Sequence, residues 1–210
     1  MVSQAKENIL KKIREALSNP VPLPFAESEG DQPVFKPATD DEAVQFAEEF
    51  TRLQGKFSFC NNEEELAGQL AALFSQQGWT KIYCTEPAFV KLLERLSLQP
   101  YHDLAGCDVS ITGCEYLVAR TGSMVLSSAQ VSGRTISVYA PVHICIAFNS
   151  QLLYDVKDAL SFLKEKYKDN FPSFVTFATG PSRTADIEKT LVTGVHGPKE
   201  VYCFLVENNF

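Results

Sequence analysis

The run Thr179-Gly180-Pro181-Ser182-Arg183-Thr184 brings two glycine-proline turn formers, three hydroxyls and a guanidinium into one short stretch. It follows the strand-like FVTFAT and precedes a helical pattern expected over residues 184–191. In open α/β sheets, ligands bind in the crevice beyond the carboxyl ends of the strands. Free amides and the macrodipole at a helix start attract an anion there. Gly180, Ser182, Arg183 and Thr184 are therefore candidate ligand-binding residues, with Arg183 suited to a carboxylate or phosphate. The same spacing also fits simple capping, with Ser182 or Thr184 as the cap and Asp186 and Glu188 in an acid-favouring first turn. Asp186 joins the candidate set only if its carboxylate turns away from the anion.

Further along, Gly194-Val195-His196-Gly197-Pro198 reads as a stop and a loop. His196 on such a loop can reach a pocket, and its type suits proton transfer near neutral pH. It is the candidate catalytic residue, with Gly197 beside it. A loop histidine bonded to a backbone carbonyl is the plain alternative. Upstream, Arg120-Thr121-Gly122-Ser123 ends a strand-like run. Arg120 could clamp an anion bidentately, or sit at the surface as an ordinary strand-end arginine. His143 enters the apolar run ICIAF, where a satisfied core histidine is the commoner outcome. There are three histidines, His102, His143 and His196, too few and too scattered for a His-rich metal centre.

The elements that must position these residues alternate. Residues 1–17 form an amphipathic helical pattern through Ile9, Leu10, Ile13 and Leu17. They lack the apolar core and cleavage site of a secretory signal, which points to the cytoplasm. Residues 19–43 carry five prolines and several acids and read as an exposed tether. A helix is expected over 41–53. From Lys56, a strand, a helix over 63–77, a strand over 81–84 and a helix over 87–96 predict a parallel sheet with helices on its faces. DVSIT, EYLVA, GSMVLSS, TISVYAP and HICIAF then read as a run of strands. A helix over 152–168, the strand FVTFAT, the helix over 184–191 and the strand VYCFLVEN close the chain. The expected division is a lead-in over 1–55 and one α/β domain over 56–210.

Composition narrows the function classes. The chain has 210 residues and a net charge of −7, which argues against nucleic acid and anionic membranes as partners. No apolar run reaches the ~20 residues that span a bilayer. The six cysteines lack CxxC spacing, so neither an iron–sulfur cluster nor a metal site is expected in this chain.

Taken in order, ITGCEYLVARTGSMVL, SVYAPVHICIAF and TGPSRTADIEKTLVTGVHGP resemble the LUD domain of lactate utilization proteins of the LutC/YkgG type. The resemblance implies a NagB/RpiA/CoA-transferase-like α/β fold, a three-layer sandwich with a mostly parallel sheet and a β-meander. It implies a part in oxidising L-lactate to pyruvate beside iron–sulfur partner subunits, which would carry the clusters. Apart from the resemblance, the convergence of donor-bearing loops at strand ends suggests a small carboxylate or phosphate ligand held by the residues named above. One departure stands out: Arg120 occupies a place where the family often has an acid. An arginine cannot serve as a carboxylate nucleophile, which counts against CoA-transferase chemistry. A non-catalytic scaffold for iron–sulfur partners and a stand-alone transferase or isomerase are the alternative readings.

Overall fold

The computed structural model describes residues 4–18, 41–184 and 192–208. The chain divides into two units, Met1–Pro37 and Ala38–Phe210. The first contains helix α1 (Gln4–Ser18), amphipathic as its spacing predicts.

The second unit opens with α2 (Glu42–Arg52), capped by Asp41, whose carboxylate accepts from the Ala43 and Val44 amides. Then come β1 (Lys56–Cys60), α3 (Glu63–Gln77), β2 (Ile82–Cys84) and α4 (Pro87–Arg95). The middle holds β3 (Val109–Thr112), β4 (Tyr116–Val118), β5 (Ser123–Ser127), α5 (Ile136–Tyr139) and β6 (Val142–Phe148). The rest is β7 (Leu152–Leu153), α6 (Val156–Tyr167), β8 (Val175–Ala178), β9 (Arg183–Thr184), β10 (Val192–Thr193) and β11 (Glu200–Val206).

The fold is mixed α/β around a parallel five-stranded sheet of order β1-β11-β6-β3-β2. Alternation along each strand sends side chains to opposite faces. Val109, Ile111, Ile144, Ile146, Phe204 and Val206 pack under α3 and α4. Cys145, Ala147, Val201, Cys203 and Leu205 face the other way, onto Leu117, Met124 and Leu126 of a second, four-stranded sheet. That sheet has the order β7-β4-β5-β8 and is backed by Ala159 and Leu163 of α6. Helices, parallel sheet and second sheet thus form successive layers.

Two expectations change. TISVYAP forms the short helix α5, not a strand. It joins β5 to β6, and neither has a free side for a neighbouring strand to take: β5 lies between β4 and β8, and β6 between β11 and β3. Thr184, expected to open a helix, lies instead in β9, paired antiparallel with Val192 of β10. The remainder of that expected helix, residues 185–191, falls outside the described residues, and so does Asp186.

Helix α2 is fastened closely to this body. Phe46 and Phe50 are fully buried and stacked at 5.4 Å between ring centroids. Gly122 has φ +58°, and a Cβ there would stand 2.5 Å from the Phe50 amide nitrogen. Only glycine combines that left-handed backbone with so close an approach. Replacing Gly122 with alanine should cost about 1–2 kcal/mol for the backbone alone, and more for the clash with α2. Gly78→Ala, also left-handed (φ +69°) but facing open space, should cost the backbone term only. Urea unfolding of both variants measures the difference, with the Gly122 variant expected to be clearly the less stable.

Candidate functional site

A cavity of about 200 Å³ lies between the two sheets. Its apolar wall comes from Met124 and Leu126 of β5, Ala178 of β8 and Val201 of β11. Its polar groups are Ser137, Thr176, Ser182, His143 and His196. His143 and Val201 are each second in their strands, so the cavity sits at the amino ends of β6 and β11. The carboxyl-end expectation rested on FVTFAT belonging to the parallel sheet. That strand, β8, instead pairs antiparallel with β5 in the second sheet.

His143 is held from the neighbouring strand. It is 1% exposed, and Thr112 Oγ1 lies 2.8 Å from its Nε2. Burial lowers its pKa, so the ring stays neutral where an exposed imidazole would begin to charge. His196 is exposed, on a loop stapled back onto the segment before β9. The Ser182 amide donates to the Pro198 carbonyl at 2.9 Å, and the Gly194 amide to the Ser182 carbonyl at 2.9 Å. Gly197 passes so near that a Cβ on it would stand 2.9 Å from the Ser182 Cβ.

Of the residues singled out in the sequence, the cavity gathers His143, Gly180, Ser182, His196 and Gly197. The others stand elsewhere. Arg120 Nε lies 2.5 Å from Asp155 Oδ2, tying the end of β4 to the cap of α6. Burial works against the Asp155 carboxylate, but the Lys157 amide and Arg120 outweigh it and hold its pKa below the usual range. Thr121 and Ser123 hydroxyls lie 2.8 Å apart, and Ser123 reaches Thr179 at 2.8 Å, stitching β5 to the end of β8. Gly122 meets α2. Arg183 donates to the Leu53 carbonyl at the end of α2, where a cation complements the helix dipole. Thr184 is in the β9–β10 ladder.

Thr112 was not singled out from the sequence. It lies 31 positions from His143, and only the β3–β6 register joins them. Glu115 was also missed. It is 3% exposed and accepts from Ser127 at 2.5 Å, Tyr167 at 2.7 Å and Lys166 at 2.7 Å. Burial pushes its pKa up, but these donors together hold it below the usual value. Three larger hollows lie elsewhere, two of about 330 and 300 Å³ beside α3 and one of about 280 Å³ at the start of α2. They contain no histidine, and the one cation there, Lys56, is held by Glu200 at 2.5 Å and Tyr202 at 2.8 Å. Among the described residues no group of histidine, cysteine or acidic side chains is placed to hold a metal, and no helix is long and apolar enough to cross a membrane.

Residues 97–206 match the family model of the LUD domain. The chain belongs to the LUD domain family. Every residue lining the cavity lies inside that span. The LUD chain is similar to Lactate utilization protein C of Bacillus licheniformis, with 35% identity over 103 residues, 48% of this chain and 43% of that protein. It is similar to Lactate utilization protein C of Bacillus subtilis, with 34% identity over 103 residues, again 48% and 43%. The matched stretch thus spans less than half of these relatives. Its fold is shared with a DUF162 family protein from Deinococcus radiodurans, with a TM-score of 0.56, 18% identity, 79% of this chain and 96% of that one covered.

The burial of His143 has a measurable consequence. Its folded pKa lies below the roughly 6.5 of an unfolded chain, so unfolding takes up a proton that the fold refuses. The stability involved is complete above pH ~6.5 and declines as the pH falls toward the folded value. NMR titration should find His143 still neutral at pH ~6.5, where an exposed histidine is half charged. His143→Gln should remove its part of the acid-side loss of stability.

Proposed function

We propose that this LUD-domain protein is a LutC-type component of L-lactate utilization in the cytoplasm, working beside iron–sulfur subunits that take the electrons as L-lactate is oxidised to pyruvate. The observation that carries this reading is the similarity, at 34–35% identity over 103 residues, to proteins named Lactate utilization protein C. The cavity supports it by size. At about 200 Å³ it falls below the 300–1,000 Å³ of pockets that take drug-sized ligands. That suits a metabolite of a few carbons better than a CoA ester or a dinucleotide. The placement of Arg120 also fits. Paired with Asp155, it offers no carboxylate for acyl transfer and serves to join β4 to α6.

A strain lacking this chain should fail to grow on L-lactate as sole carbon source and grow normally on glucose. Re-expression of the full chain should restore growth. Pull-down of the tagged chain from lactate-grown cells should bring iron-containing, brown partners. Unimpaired growth of the deletion strain on L-lactate would refute the role.

A further inference from the structure

The two histidines of the cavity differ in burial and in company. His143 is enclosed, neutral and fixed, with Nε2 engaged by Thr112. His196 is exposed on its loop. The described lining holds no lysine, arginine or carboxylate, so hydroxyls and imidazoles do the recognising. The arginines that might have served an anion, Arg120 and Arg183, are engaged with Asp155 and with the end of α2. An imidazole bound at Nε2 leaves Nδ1 for a ligand, and a neutral ring can meet a hydroxyl or a carbonyl according to its tautomer.

The geometry points to a ligand class and, resting on the proposed role, deepens it. The cavity takes a short 2-hydroxy or 2-oxo carboxylate. Its 2-oxygen bonds to His143 Nδ1 at the enclosed end, and its carboxylate lies toward His196 at the open end. Thr112 is a positioning residue: it does not touch the ligand but sets the ring that does. The Thr112 bond is worth keeping because an unpaired nitrogen on a ring this buried would be costly, and because it fixes the orientation of the ring that reads the 2-oxygen.

Calorimetric titration of the full chain with L-lactate, pyruvate, propionate and lactamide tests this. Propionate lacks the 2-oxygen, and lactamide keeps it but lacks the charge. L-Lactate and pyruvate should bind about tenfold more tightly than propionate, as expected for one hydrogen bond, and lactamide more weakly than L-lactate. Thr112→Val should weaken L-lactate about tenfold and leave propionate unchanged, since the coupling belongs to the 2-oxygen alone. Thr112→Ser should restore L-lactate binding. The ¹⁵N shift of His143 Nε2 should report a lost hydrogen bond in Thr112→Val and not in Thr112→Ser. Equal binding of L-lactate and propionate by the unaltered chain would overturn the assignment, even if Thr112→Val failed to fold. So would an equal loss for both acids in Thr112→Val. Failure of all four compounds to bind would remove this site, while growth of the deletion strain on L-lactate decides the wider role separately.

Discussion

The close seating of helix α2 is the constraint on which much of the structure depends. Its last turn meets the body where the chain leaves no room for a side chain. Gly122 lies under the Phe50 amide, and Gly180 lies under the Leu53 carbonyl, 2.5 Å from where its Cβ would be. Arg183 closes the same end by donating to that carbonyl. The two glycines lie in the two loops that flank the β5–β8 pair. Seating α2 therefore sets the spacing of those loops and, through β8, the wall of the cavity. Residues that resemble ligand-binding motifs serve here as a socket for a helix.

The site itself is built from opposed tendencies. A parallel sheet buries both faces and reads as continuous apolar runs. Placing His143 in such a run costs desolvation, which Thr112 from the next strand offsets. The exposed partner, His196, comes from a loop fixed by backbone bonds and by the close approach of Gly197 to Ser182. One imidazole is therefore rigid and uncharged, and the other is open to water. Charge is kept away from the cavity: Glu115, Lys166, Asp155 and Arg120 pair with one another or with nearby donors.

Much of the fold was legible because it depends on local rules. Helix α3 runs from Glu63 to Gln77 as its periodicity predicts, with Asn62 as its cap and the left-handed Gly78 as its stop. Strand β1 is the expected KFSFC. What could not be read was pairing between distant strands. Nothing local assigns FVTFAT to the second sheet, or denies TISVYAP a place beside β5 or β6. Of the residues singled out by type and spacing, His143, Ser182 and His196 line one cavity, while Arg120, Gly122 and Arg183 do not. Thr112 and Asp155 stayed hidden because a hydroxyl or carboxylate gains its role only from the side chain that register brings beside it.

The six cysteines offer a different kind of consequence. All are free and buried, Cys60 and Cys84 beneath the helices and Cys114, Cys145 and Cys203 between the sheets. Burial pushes the Cys60 thiol up to about 11 and the Cys84 thiol up to about 12, so little thiolate exists at neutral pH. Burial shields all six thiols from alkylating reagents in the folded chain, and each becomes a timer for the opening of its own layer. Labelling rates would then separate loosening of the helical face from parting of the sheets, in a native protein carrying no added probe.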